Sequence, residues 1–207
     1  MHHNRAQLLP PIPGTGTPPR GLFISRWGAL LERPIDGFPK RFEDVKFQSR
    51  VVELLFRASQ AGWKVYVVGN EDDVAKGRIS DAHWEEFHAA LREHMKAQGI
   101  TVAREYACVD HPAGKSPHDK DSVFLFPNTG AFYHASQEDG IVLSECWLVS
   151  DDVPELAAAW RAGVHVAAVH AVGQRRSADL QVEPEITARR AVEALAEILS
   201  ASPSVRN

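Results

Sequence analysis

Side chains able to do chemistry fall into three short groups along this chain: Ser25 with Arg26, the run Asn70-Glu71-Asp72-Asp73, and Ser150-Asp151-Asp152 with Glu155. Carboxylates gathered this way could hold a divalent cation through oxygen, pass a proton, or attract a basic partner segment. A serine attacks an electrophile only when a base stands beside it, and nothing in the spacing supplies one for Ser25. The ten histidines are scattered. His83, His88 and His94 share one stretch without metal-ligand spacing and read as surface or packing residues, while His111 and His118 sit in a polar loop with no evident partner. The only cysteines are Cys108 and Cys146.

The elements that must position these groups alternate. Gly21 to Ser25 is a short apolar run that fits a buried strand. Val51, Val52, Leu54, Leu55 and Ala58 recur at helical spacing, with Gly62 as a stop. Trp63 to Val68 reads as a second strand. Ser80 caps a helix through Lys96, with Trp84, Phe87, Leu91 and Met95 along one face. A third strand lies near Val102 to Cys108. A polar loop over 110–122 precedes a short extended stretch at Val123 to Phe126 and a helix over Gly130 to Gln137. Cys146 to Val149 is a strand, Pro154 to Ala162 a helix, Val164 to Val169 a last strand, and Glu185 to Leu199 a closing amphipathic helix. Such alternation predicts an α/β fold, a central parallel sheet with helices on both faces. Ligands then bind beyond the carboxyl ends of the strands, where the three polar groups fall.

At those strand ends the chain resembles the haloacid dehalogenase-like phosphatases of the heptose-bisphosphate and histidinol-phosphate group, from about Gly21 to Val169. The family's first strand ends in a run like F-L-D-R-D-G-V; here it reads Phe23-Ile24-Ser25-Arg26-Trp27-Gly28-Ala29. The family's N-Q-S-G-V-A-R-G is matched by Asn70-Glu71-Asp72-Asp73-Val74-Ala75-Lys76-Gly77. Its K-P-x-P-G-M is matched by Phe126-Pro127-Asn128-Thr129-Gly130-Ala131. Its G-D-R-x-x-D before A-G is matched by Ser150-Asp151-Asp152-Val153-Pro154-Glu155 and Ala162-Gly163. The resemblance implies a Rossmann-like core without a large cap domain, built as one domain over 21–200, with tails at 1–20 (rich in Pro and Gly) and 201–207.

It also implies a chemistry whose working groups are replaced. Ser25 stands where the family has its nucleophilic aspartate, Trp27 where it has the acid, Asp72 where a hydroxyl meets phosphate, and Phe126 where a lysine neutralises phosphoryl charge. Loss of a general acid costs roughly 10²- to 10⁴-fold in rate. An anion at Asp72 facing a phosphate at ~4 Å repels it by about 4 kcal/mol at an effective dielectric near 20. Trp27 and Phe126 either plug the vacated site or offer a stacking platform. Asp151 is either a residual magnesium ligand or a cap ahead of Pro154. Glu71, Asp72, Asp73, Asp151, Asp152 and Glu155 gather as a solvated acidic rim or as a dock for a cation or basic segment, with Asn70, Glu71, Asp72, Asp73, Asp151 and Asp152 as the binding candidates. Many family members hold zinc in a C-P-H-H-P loop followed by C-x-C. The corresponding positions are Cys108-Val109-Asp110-His111-Pro112, then Ser122 and Phe124, so no zinc site is expected. No cofactor is expected, with magnesium at most weakly held. Two functions compete: a catalytically inactive binding or regulatory module, engaging a protein partner or a small phosphorylated ligand, and a divergent sugar-phosphate phosphatase working through rebuilt acidic residues.

Composition narrows the class. With 207 residues, 44% apolar and 24% charged, the chain suits one soluble domain. Net charge of -4 disfavours nucleic acid, no apolar run approaches the ~20 residues of a membrane span, and no signal-like segment opens the chain. A cytoplasmic setting is the expectation.

Overall fold

The computed structural model describes residues 19–35, 37–170 and 180–201. Six strands, β1 (Arg20–Ser25), β2 (Trp63–Asn70), β3 (Val102–Cys108), β4 (Trp147–Ser150), β5 (His165–Val169) and β6 (Ile186–Ala188), form one sheet in the order β3-β2-β1-β4-β5-β6. Every pairing is parallel. Six helices accompany them: α1 (Val51–Gln60), α2 (Asp72–Ala75), α3 (Asp81–Ala97), α4 (Gly130–Asp139), α5 (Val153–Arg161) and α6 (Ala191–Ala201).

The period-2 alternation of the strands divides the interior into two apolar clusters. Leu22, Ile24, Val65 and Val67 face one side, against α1, α3 and α6. Phe23, Tyr66, Val68, Leu148 and Val166 face the other, against α4 and α5. A sheet covered on both faces explains why its strands read as continuous apolar runs. Strand order reverses between β1 and β4, where Ile24 pairs with Val149. This switch point opens a crevice beyond Ser25 and Ser150, the place a parallel α/β sheet reserves for ligands.

Local signals locate most boundaries. The Ser80 side chain accepts the His83 N–H at 3.2 Å and caps α3. Asp152 does the same for α5, accepting from Glu155 N at 3.2 Å ahead of Pro154.

Two elements differ from expectation. Val123 to Phe126 is not extended: Ser122 Oγ accepts from Phe124 N, and Leu125 N and Asn128 N close successive turns, a local bonding pattern that competes with a strand. The segment expected as one helix from Glu185 divides, with β6 completing the sheet beside β5 before α6 begins at Ala191. Val166 N donates to the Glu185 carboxylate at 2.8 Å, which ties Glu185 to the sheet rather than to a helix.

Of the expected tails, residues 1–18 and 202–207 lie outside the described residues; Arg20 opens β1 and Ala201 closes α6. Among the described residues the long connections at 26–50 and 109–129 carry no sheet layer of their own, and no helix is long and apolar enough to cross a membrane.

Candidate functional site

The floor of the crevice is sealed by polar groups bonded to one another. Ser25 is 1% exposed, and its hydroxyl donates to the Trp27 carbonyl at 3.0 Å. Across the switch point, the Ser150 hydroxyl donates to Glu155 at 2.6 Å. Burial, reinforced by Asp152, drives the Glu155 carboxyl well above its ordinary range, and the Ser150 and Ser25 hydroxyls only partly oppose it. Glu155 is therefore an internal acid whose charged form is disfavoured by its surroundings.

The chain after β1 turns sharply through Gly28, whose φ is +91°. A Cβ there would lie 2.2 Å from both Asp151 carboxylate oxygens, so only glycine lets Asp151 pack against this backbone. Asp151 is gripped from the other side by Arg33, whose Nε and Nη2 donate at 3.0 and 2.7 Å, a bidentate pair. Gln48 and His170 both reach the Gly28 carbonyl, at 3.0 and 2.9 Å, and hold the turn.

Beside this lies a buried charge network. Arg26, fully buried, pairs with Glu71 and with Glu105 Oε2, the latter at 3.1 Å, and its guanidinium lies 4.9 Å from the Trp84 ring centroid. His88 Nε2 stands 2.9 Å from the same Glu105 oxygen. Burial works against the Glu105 charge, but His88 and Arg26 bring its pKa below the ordinary value. Glu71 goes the other way, because burial outweighs the pull of Arg26.

The six acids expected to form a rim are mostly occupied or withdrawn. Glu71 and Glu155 are buried. Asp72 pairs with Lys76 and Asp73 with Arg78, each within its own turn. Asp151 holds Arg33, and Asp152 caps α5. Asp72 still contributes, with burial and Asp151, to raising the Asp152 pKa, so the second and fourth strand ends do converge. Neither a solvated rim nor an open acidic dock is what the geometry presents.

Of the two roles expected for Trp27 and Phe126, packing is the one observed. Trp27 leans toward α3, stacked on Phe87 at 5.6 Å and edge-on to Phe38 at 5.8 Å, with its indole N–H 3.3 Å from Glu71. Phe126 enters the core under α4, 5.9 Å from Phe132. Its backbone is held by the Asn70 side chain through two bonds of 2.9 Å. Neither ring forms a stacking platform over the crevice.

No family model matches the sequence. The chain is 33% identical to the D-glycero-beta-D-manno-heptose-1,7-bisphosphate 7-phosphatase of Pseudomonas aeruginosa over 140 residues, which is 68% of this chain and 75% of that one. It belongs to the heptose-bisphosphate phosphatase family. In fold it is similar to the D,D-heptose 1,7-bisphosphate phosphatase of B. bronchiseptica, solved with magnesium and phosphate (TM-score 0.73, 18% identity, 88% of this chain and 99% of that one). The Burkholderia thailandensis enzyme of the same name superposes with a TM-score of 0.60 at 14% identity, covering 87% of this chain and 99% of that one.

The magnesium implied by this family can be tested against the donors present. Magnesium requires near-octahedral oxygen ligands, usually including a carboxylate free to bind it. Here both Asp151 oxygens accept from Arg33, and Ser25 offers a buried hydroxyl already bonded to Trp27 O. Among the described residues no group of three His, Cys, Asp or Glu side chains is placed to hold a metal. The donors do not fit the ion.

The heptose-bisphosphate phosphatase zinc loop is rebuilt as well. His118, without a partner by sequence, bridges Asp110 at 3.1 Å and Asp81 at 3.0 Å, while His111 accepts from Ala113 N and Cys108 donates to Asp110 O at 3.3 Å. His83 meets the Pro39 carbonyl and His94 stacks on Phe47, both packing roles.

Sequence reasoning passed over Arg33, Glu105 and Gln48. Glu105 carried one signal, a carboxylate inside an otherwise strand-like run. Arg33 carried none.

Proposed function

We propose that this member of the heptose-bisphosphate phosphatase family is a non-catalytic binding or regulatory module. The observation that carries the reading is the state of Ser25 at the family's nucleophile position: a hydroxyl in place of a carboxylate, buried and donating to Trp27 O, with the neighbouring Glu155 already accepting from Ser150. The Arg33 clamp on Asp151 supports the same reading, since it neutralises the one acid the site retains. What the module engages, by this reading, is a protein partner or a small phosphorylated ligand. The decisive assay incubates the full chain with magnesium and either D-glycero-D-manno-heptose 1,7-bisphosphate or histidinol phosphate, beside a Ser25→Ala control. Phosphate release no faster than the control is expected; release clearly above it overturns the proposal.

The activity named for the Pseudomonas aeruginosa relative favours a second reading, a divergent sugar-phosphate phosphatase using Asp72 or Asp151. Under that reading Asp72→Asn or Asp151→Asn lowers the measured turnover. Turnover unchanged in both variants removes it.

A further inference from the structure

Away from the crevice floor, one histidine joins two elements through both of its ring nitrogens. His118 lies in the polar loop over 109–122, which leaves β3 at Cys108 and has no helix or strand of its own. Its Nδ1 stands 3.1 Å from Asp110 Oδ1 in the same loop, and its Nε2 stands 3.0 Å from Asp81 Oδ1 in the first turn of α3. A neutral imidazole carries one N–H and one lone pair, whereas an ionised carboxylate only accepts. Both contacts are hydrogen bonds at once only when both nitrogens carry a proton, which is the imidazolium.

The contact with Asp81 is, among the described residues, the only hydrogen bond or ion pair between this loop and α3. The rest of the loop is held elsewhere. His111 N donates to His118 O, His118 N to Lys115 O and Gly114 N to His111 O, which closes the loop on itself, while Lys115 N donates to Ala75 O at 2.7 Å and seats it on α2. A Cβ at Gly114 would lie 2.5 Å from the His118 carbonyl oxygen and 2.9 Å from that of Ala75, so this seat is close-fitting. The charged groups facing the imidazole are Asp110 and Asp81, with Lys120 3.7 Å from the same Asp110 oxygen and Asp119 next in the chain. On α2, Asp72 and Asp73 are turned to Lys76 and Arg78, and Lys115 lies against Gly77.

We infer that the His118 imidazolium is a latch, which fastens the 109–122 loop to the start of α3 while both nitrogens are protonated and releases it when one proton is lost. The N–H that remains serves Asp110, which is 23% exposed, rather than Asp81, which is 64% exposed and turns to water at little cost. The lone pair then faces the Asp81 carboxylate and repels it. The bonds to Asp110 and then to Asp81 raise the His118 pKa against partial desolvation. The latch is therefore fully closed below the ordinary histidine value of ~6.5 and opens as pH rises through the raised one. Because the loop rests on α2, whose Asp72 acts on Asp152 at the crevice, the latch stands beside the candidate site.

Amide hydrogen exchange of the full chain between about pH 5.5 and 8.5, expressed as protection factors so that the intrinsic pH dependence of exchange is removed, tests this beside an NMR titration of the His118 ring. Protection of the His111, Gly114, Lys115 and His118 amides should fall about three- to tenfold as His118 titrates, the size of one charge-assisted bond at a partly exposed site. Leu91 and Met95, on the buried face of α3, should hold theirs. His118→Gln, which cannot become charged, should show the lower loop protection at every pH, and so should Asp81→Ala. Should circular dichroism find a variant unfolded, the profile of the parent chain decides. Loop protection that stays constant while His118 titrates, a fall shared equally by Leu91 and Met95, or a folded His118→Gln chain that keeps the parent's pH dependence overturns the inference.

Discussion

Arg26 offers the sharpest test of how this fold is held. Its guanidinium is fully buried between Glu71 and Glu105 and against Trp84. Arg26→Met keeps most of the stem's volume and removes the charge. Glu71 is then left with the Trp27 N–H, and Glu105 with His88 and, at 3.7 Å, Arg92. Removing one member of a buried ion pair strands its partner and destabilises by about 3–5 kcal/mol. That is a large share of the ~5–15 kcal/mol that holds a domain folded. For a chain of this size each kcal/mol moves the melting temperature by ~2–4 °C, so a fall of roughly 6–20 °C is expected at pH 7.

The loss should depend on pH with a definite sign. The Glu71 pKa is already raised by burial, and without Arg26 it rises further. A carboxyl whose folded pKa exceeds its unfolded value contributes stability that is present below the unfolded value of ~4.3 and lost as pH rises through the folded one. The deficit of Arg26→Met should therefore grow from acid toward neutral pH, and Arg26→Met combined with Glu71→Gln should recover part of it. Urea titrations between about pH 4 and 8, read as free energies, supply the measurement. A single variant within about 1 kcal/mol of the parent at pH 7 would refute the reasoning, since that is the range of an exposed pair.

Two further outcomes follow from titratable groups. Glu155→Gln keeps an acceptor for Ser150 Oγ but cannot ionise; because the Glu155 pKa is raised, the variant should match or exceed the parent in stability at pH 8 and flatten the fall in stability above acid pH, as urea titration will measure. The His118 pKa is raised by its bonds to Asp110 and Asp81, so its NMR titration midpoint should lie above that of ordinary exposed histidine, and Asp81→Asn should lower it.

The fold was legible because its determinants are local. Apolar periodicity located β1, β2, β3, α1 and α3, Ser80 marks the start of α3 through a bond three residues ahead, and the polar strand ends pointed to the crevice; the cap ahead of Pro154, expected at Asp151, is instead Asp152, because Asp151 is turned toward Arg33. The charge pairing was not legible for the opposite reason. Arg33 and Asp151 are 118 positions apart and Arg26 and Glu105 are 79, so spacing alone carries nothing about either pair. Reading six acids near one mouth as a rim treated them as free, whereas Glu71 and Asp151 are matched by Arg26 and Arg33 far away in sequence and the other four by neighbours three to five positions away. Phe126 shows a related limit: Asn70 holds its backbone beside the end of β2, but its apolar side chain turns into the core under α4, a direction that sequence alone does not give.

The replacements at the family's functional positions also depend on one another. Trp27 at the acid position supplies an N–H to Glu71, and Glu71, at the second-signature position after Asn70, supplies the charge that pairs with Arg26. Arg26 in turn is shared with Glu105, whose charge His88 helps to hold. On the other side of β1, Ser25 and Ser150 place small hydroxyls where Glu155 is buried, and burial there disfavours the charged carboxylate. Random loss of a nucleophile would leave orphaned carboxylates and a solvent-filled crevice. These positions instead form two networks, one centred on Arg26, in which Arg26 Nε and Glu105 Oε1 are left without a hydrogen bond, and one on Glu155, while Arg33 pairs with Asp151. A change at any one of these positions therefore has to be answered at its partners, because a buried polar group left without its partner costs the fold its desolvation energy.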